Sequence, residues 1–154
     1  MKRAAKVTLQ FATETKRRKI AALLEAYRAA VNFYIRSLWE NPGKLDKATL
    51  ARLQHTRLSE RYKSQTLKQA IEIVVATKKS AKELGIPATC PIFKGAAVLD
   101  AKFVTIEEGG GSFDLVVKLS VLKKGERLTI PTRRTAVLNK WLAAPSARLI
   151  QGAP

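Results

Sequence analysis

Between Lys16 and Glu40, apolar residues recur every three or four positions: Ile20, Leu23, Leu24, Tyr27, Ala30, Val31, Tyr34, Ile35 and Leu38. At about 3.6 residues per turn they share one broad stripe, while Glu25, Arg28, Asn32 and Arg36 fall on the other side. The spacing predicts a long amphipathic helix, with Thr13 or Thr15 as its N-cap and Asn41-Pro42-Gly43 as its stop. A short helix is predicted over Asp46–Gln54, capped by Asp46, with Leu45, Leu50 and Leu53 on its apolar side. A second long helix begins at Ser59 and ends at Gly85, with Pro87 behind it. Its stripe is Leu67, Ala70, Ile71, Val74 and Ala81, widened by Tyr62, Ile73 and Leu84, and Lys63, Lys68, Lys78, Lys79 and Lys82 load the rest.

Elsewhere the period is two. Val7, Leu9 and Phe11 alternate with Lys6, Thr8 and Gln10, which predicts a half-buried strand. Strands are predicted again over Val98–Glu107, Phe113–Val121 and Arg127–Ile130, joined by Gly109-Gly110-Gly111 and by the basic turn Lys123-Lys124-Gly125, and closed by Pro131. Residues 86–97 read as a linker or irregular crossing, 135–142 as a helical turn carrying Trp141, and 147–151 as a last strand. A lone first strand needs partners, so it is expected to join the later strands. The expected fold is α+β. A small antiparallel β-barrel of the oligonucleotide-binding sort is formed by 1–12 and 86–154, and a three-helix block, 13–85, is inserted after the first strand.

Charge changes this picture most. There are 29 Lys and Arg against 12 Asp and Glu, a formal +17. That excess destabilises a compact chain by self-repulsion unless a polyanion offsets it, and nucleic acid is the commonest such partner. A membrane partner is not expected: no apolar run approaches the ~20 residues of a spanning helix, and MKRAAKVTLQF alternates too soon for a signal peptide. A cytoplasmic location is the default. Cys90 and His55 are the only residues of their kinds, which excludes an internal disulfide, a cysteine-based zinc cluster, a His-His metal site and a worthwhile Ser-His-Asp arrangement. The acids are scattered, Glu107-Glu108 beside a glycine turn included, and no phosphate-binding loop is present. The chain is therefore read as non-catalytic by itself and as holding no cofactor of its own.

The candidate contacts to nucleic acid follow from clustering. Lys16, Arg17, Arg18 and Lys19 load the start of the first helix, where the dipole prefers negative charge, so bound phosphate would relieve them. Arg28 and Arg36 lie further along the same helix. Arg61, Lys63 and Lys68 come from the third helix, and Lys123, Lys124, Arg127, Arg133 and Arg134 from the strand region. Trp39 and Trp141 are candidates for stacking on bases; Tyr34 lies on the apolar stripe, which favours a packing role for it.

Several local motifs occur together in a familiar order. Tyr27-Arg28-Ala29-Ala30-Val31-Asn32 resembles the Arg-three-residues-Asn signature in the first recognition helix of transposon-encoded TnpB proteins and type V CRISPR effectors, and so adds Asn32 to the candidate contacts. Leu58–Ala70 resembles the later helix of that region. Cys90-Pro91-Ile92-Phe93-Lys94-Gly95 is similar to the family's Pro-x-Phe-Lys element, and Leu128-Thr129-Ile130-Pro131 to its apolar strand ending in proline. The resemblance covers residues 6–151 and implies a wedge β-barrel interrupted by a recognition domain. It also implies a guide RNA scaffold, a guide–target heteroduplex and target DNA as partners, with part of the contact to the target-flanking motif. The family's RuvC nuclease half and zinc element do not follow here. The chain ends at Pro154, about where that half would begin. It reads as a fragment or split product, or as a nuclease-free relative. A separate RuvC-containing chain or a second copy would then be a partner, and divalent metal would enter only with a RuvC half.

Three other readings compete. The short helix and the Ser59 helix suit a helix-turn-helix DNA-binding regulator that reads bases through Arg61, Lys63 and Gln65, although the following sheet is not needed for it. A structural RNA-binding protein of ribosomal type would hold one RNA with no guide. A catalytic protein would require metal-dependent cleavage by the chain alone.

Overall fold

The structure, a computed structural model, describes residues 9–43, 46–52, 57–99, 102–109, 111–134 and 136. It is α+β: three helices, α1 (Glu14–Glu40), α2 (Lys47–Arg52) and α3 (Glu60–Leu84), precede three strands, β1 (Val104–Glu108), β2 (Leu115–Ser120) and β3 (Arg127–Thr132). Among the described residues the strands form an open antiparallel sheet in the order β1-β2-β3. The chain divides into two compact units, one of Met1–Ala22 with Val98–Pro154, the other of Leu23–Ala97. The division read from sequence lay at 12/13 and 85/86; the compact units part inside α1, after Ala22, and again after Ala97.

Helix boundaries follow local chemistry. The Thr13 hydroxyl accepts from Lys16 N–H at 3.4 Å and so caps α1. Asp46 Oδ1 accepts from Thr49 N–H at 2.7 Å at the start of α2. Ser59 Oγ accepts from Tyr62 N–H at 3.4 Å, and α3 ends on Gly85 at φ 66°, a left-handed cap that a side chain would strain.

In the Leu23–Ala97 unit, the predicted α1 stripe is buried at Leu23, Tyr27, Ala30, Val31, Tyr34 and Ile35. α3 answers with Tyr62, Thr66, Ala70, Val74 and Ala81. Tyr27 meets the ring of Tyr62 edge-on at 6.5 Å, and the Lys78 ammonium of α3 lies over the ring of Trp39. The predicted α3 stripe differs at its margins. Thr66 is buried and bonds back to Lys63 O at 2.9 Å, whereas Ile71 is 44% and Leu84 68% exposed. The core-facing arc is centred on 62-66-70-74-81, which leaves Ile71 on the flank.

In the other unit the register sets Val104 against Leu119, Val117 against Ile130, and Leu115 against Thr132. These residues are all buried, so one sheet face is a core. The predicted strand over 98–107 begins only at Val104, because Lys102 and Phe103 turn first. Its hairpin needs glycine at 109: a Cβ there would lie 2.3 Å from Phe113 O. β3 runs through Pro131 rather than stopping before it. Val121 N–H donates to Glu126 O, so residues 127, 129 and 131 turn their backbone groups away from β2, and a missing N–H at 131 costs no ladder bond. Of the predicted first strand, residues 6–8 lie outside the described residues. Residues 9–11 lead into a turn in which Ala12 N–H donates to Leu9 O. The predicted elements over 135–142 and 147–151 also lie outside the described residues, position 136 apart.

Replacing Ile130, 1% exposed, by Ala is expected to lower stability by about 2–5 kcal/mol in urea unfolding. Ile71→Ala on the exposed flank is expected to change it by less than about 0.5 kcal/mol.

Candidate nucleic-acid interface

The four cations that open α1 each meet the protein. Lys16 donates to Thr129 O of β3, and Lys19 pairs with Glu126 in the turn before β3. Arg17 reaches back to Leu9 O and Gln10 O at 3.4 and 3.2 Å, and Arg18 pairs with Glu14 at 3.2 Å. The relief expected from phosphate is thus supplied in part by carbonyl and carboxylate oxygens. The Glu126 carboxyl is held below the usual glutamate range, first by the hydrogen bond from Lys19 and further by the charges of Lys19 and Lys123. Lys123 and Lys124 themselves are exposed at the tip of the β2–β3 turn.

Further along α1, Arg28 and Asn32 read backbone. Asn32 Nδ2 donates to Phe93 O at 2.9 Å and its Oδ1 accepts from Phe93 N–H at 2.7 Å. The side-chain amide thus takes both backbone groups of one residue, as a neighbouring strand would. Arg28 Nε donates to Gly95 O at 3.0 Å, and Gln69 of α3 donates to Ala96 O at 3.4 Å. Residues four apart on a helix rise about 6 Å, close to the span of two extended residues, so the 28/32 pair matches the 93/95 pair. The Phe93 ring packs 6.5 Å from Tyr27, and Lys94 and Ile92 face outward. The Arg-three-residues-Asn motif and the Pro-x-Phe-Lys motif therefore lie against each other.

The remaining candidates divide by whether the protein itself engages their side chains. Lys63 is buried and pairs with Glu60 at 2.9 Å. Arg127 donates to Ser120 Oγ and Lys102 O at 3.3 Å, Arg133 lies 5.4 Å over the Phe11 ring, and Arg134 pairs with Glu108 at 3.2 Å. Arg36, Arg61, Lys68 and Lys124 are exposed, and among the described residues no hydrogen bond or ion pair engages their side chains.

One flank of α3 gathers such cations. Arg61, Ser64, Lys68, Ile71, Val75, Lys78 and Lys82 follow each other at steps of three and four, and all seven are exposed. They occupy an arc of roughly 100° without an acid, about 30 Å long. The sequence reading names Arg61 and Lys68 but does not join them to Lys78 and Lys82, although the 3-4 spacing carries the whole row. The periodicity puts Ile71 on the core stripe, and Lys78 and Lys82 among the lysines that load the rest of the helix.

Trp39 is half-buried with the Lys78 ammonium 5.1 Å from its ring centre, and Trp141 lies outside the described residues. Tyr34 is fully buried, and burial raises its hydroxyl pKa, with the Glu60 charge adding to the effect. Among the described residues no group of three or more His, Cys, Asp or Glu side chains is placed to hold a metal ion, and no helix is long and apolar enough to cross a membrane. Comparison with protein-family models, curated proteins and solved structures finds no match to this chain.

Asn32→Ala leaves both backbone groups of Phe93 without their partner and is expected to cost about 1–3 kcal/mol, measured by thermal or urea unfolding. Because the folded pKa of Glu126 is depressed, its stabilisation is present above the unfolded value and is lost as pH falls through the folded value. Unfolding curves of Glu126→Gln and the wild type are therefore expected to differ most near neutral pH and to converge in acid.

Proposed function

We propose that this chain binds nucleic acid mainly through phosphates, as the recognition-plus-wedge half of an RNA-guided DNA-targeting effector that does not cleave by itself. The observation that carries the binding is the flank of α3, exposed from Arg61 to Lys82 and free of acids. With a net +17, a polyanionic ligand is the natural complement of such a surface. The guided reading rests on the resemblance of Arg28 and Asn32, of Pro91-Ile92-Phe93-Lys94 and of Leu128–Pro131 to the TnpB and type V pattern. The docking of the first two motifs on each other supports treating them as one unit. In this reading Arg28 and Asn32 hold the connection in place, and the α3 flank, Arg36, Lys123 and Lys124 meet guide RNA and its hybrid with target DNA. The sheet is part of a small barrel, with its other strands among residues outside the described set. Cleavage belongs to a RuvC half with its divalent metal, on a separate chain or a longer one.

The test is retention of RNA co-purified from the native host across a salt series, against scrambled RNA and duplex DNA of equal length. One structured RNA is expected to stay bound at salt where the others are released, and DNA complementary to its guide segment to join the complex. Equal loss of all ligands would sink the proposal. In the quadruple variant R61Q/K68Q/K78Q/K82Q, the slope of log affinity against log salt is expected to fall by ~0.7–0.9 per phosphate contact removed.

A further inference from the structure

The α3 flank is not uniformly charged. Arg61 and Lys68 stand at its start, Lys78 and Lys82 at its end, and Ile71 and Val75 occupy the middle at 44% and 61% exposure. Lys68 and Lys78 are separated by ~15 Å along the helix axis at 1.5 Å per residue. Two aliphatic side chains thus sit in water between two cationic ends, where the chain's abundant lysine would serve solubility better. Lys78 is also held: its ammonium rests over the Trp39 ring, which fixes one end of the arrangement.

Groove dimensions decide what fits this pattern. A helix with its side chains is about 10–12 Å across, and the minor groove of B-form DNA, about 6 Å wide, does not admit it. The B-form major groove admits a helix but presents base edges rich in donors and acceptors, and the middle of this flank offers neither. The minor groove of an A-form duplex is wide and shallow and displays riboses, with their 2′-hydroxyls, and base edges. A helix laid across it places its ends at the two phosphate backbones and its middle over the riboses, whose C–H edges stand beside the 2′-hydroxyls.

We propose that the exposed flank of α3 lies across the minor groove of an A-form duplex, with Arg61 and Lys68 on one strand's phosphates and Lys78 and Lys82 on the other's. Ile71 and Val75 pack on the riboses between. This rests on the nucleic-acid reading above and adds to it the surface and the mode of contact. Recognition by this flank is of duplex form, not of sequence. The apolar pair discriminates A-form from B-form, and the cations supply affinity common to both.

The test uses the full chain and three duplexes of one sequence, RNA–RNA, RNA–DNA and DNA–DNA, titrated at several salt concentrations. The wild type is expected to prefer the two A-like duplexes by about tenfold or more, on the scale that burying two aliphatic side chains gives. In I71Q/V75Q, whose fold is checked by circular dichroism, that preference is expected to fall to about onefold while the salt slope stays unchanged. In R61Q/K68Q/K78Q/K82Q the slope is expected to fall for all three duplexes. An A-form preference that survives I71Q/V75Q overturns the inference and leaves nucleic-acid binding standing. Stronger binding of DNA–DNA by the wild type overturns it in favour of a major-groove reader. Binding of no duplex, together with no retained RNA, overturns both readings.

Discussion

With 29 cations and 12 acids, most positive side chains in this protein have no carboxylate to meet, and the structure is shaped by where they go instead. A recurrent answer is the main-chain carbonyl. Lys16 takes Thr129 O, Arg17 takes Leu9 O and Gln10 O, Arg28 takes Gly95 O, and Arg127 takes Lys102 O. Each contact satisfies a charged donor and ties down a stretch of irregular chain or a strand edge. None of them cancels charge. The self-repulsion of the folded chain is therefore distributed, not removed, and a polyanion remains the ligand best able to relieve it.

The same constraint explains which sequence readings translate directly into structure. Periodicity finds the helices because burial of Tyr27, Tyr34, Tyr62 and their neighbours dominates local preference, and Thr13, Asp46, Ser59 and Gly85 mark boundaries through hydrogen bonds made within a turn or two. Alternation finds β2 for the same reason. Partners distant in sequence are not legible in this way. Nothing near Asn32 announces Phe93, 61 positions away, and nothing near Lys19 announces Glu126. A cluster of cations looks the same in sequence whether its members end on carbonyls or in water. Hence the start of α1 and the flank of α3 read alike in sequence, although among the described residues the protein's own oxygens engage the first and not the second.

Asn32 illustrates how a polar side chain on a helix can substitute for secondary structure. The segment from Ile86 to Val98 contains no helix or strand, yet its amides and carbonyls at 93, 95 and 96 are met by Asn32, Arg28 and Gln69. A connection that composition marks as irregular is thereby given a defined path. Its outward residues, Ile92 and Lys94, are displayed from a held backbone and not from a free loop.

The treatment of β3 has a consequence for how the sheet can grow. Of the residues whose backbone groups face away from β2, Thr129 has its carbonyl taken by the Lys16 ammonium, and Pro131 has no N–H to offer. Two of the outward groups along that edge are thus taken or absent, which makes it a poorer template for edge-to-edge pairing. On β1 the outward groups of Val104, Ile106 and Glu108 carry no such device among the described residues. Among the described residues β1 is therefore the edge that offers an added strand the fuller set of backbone partners.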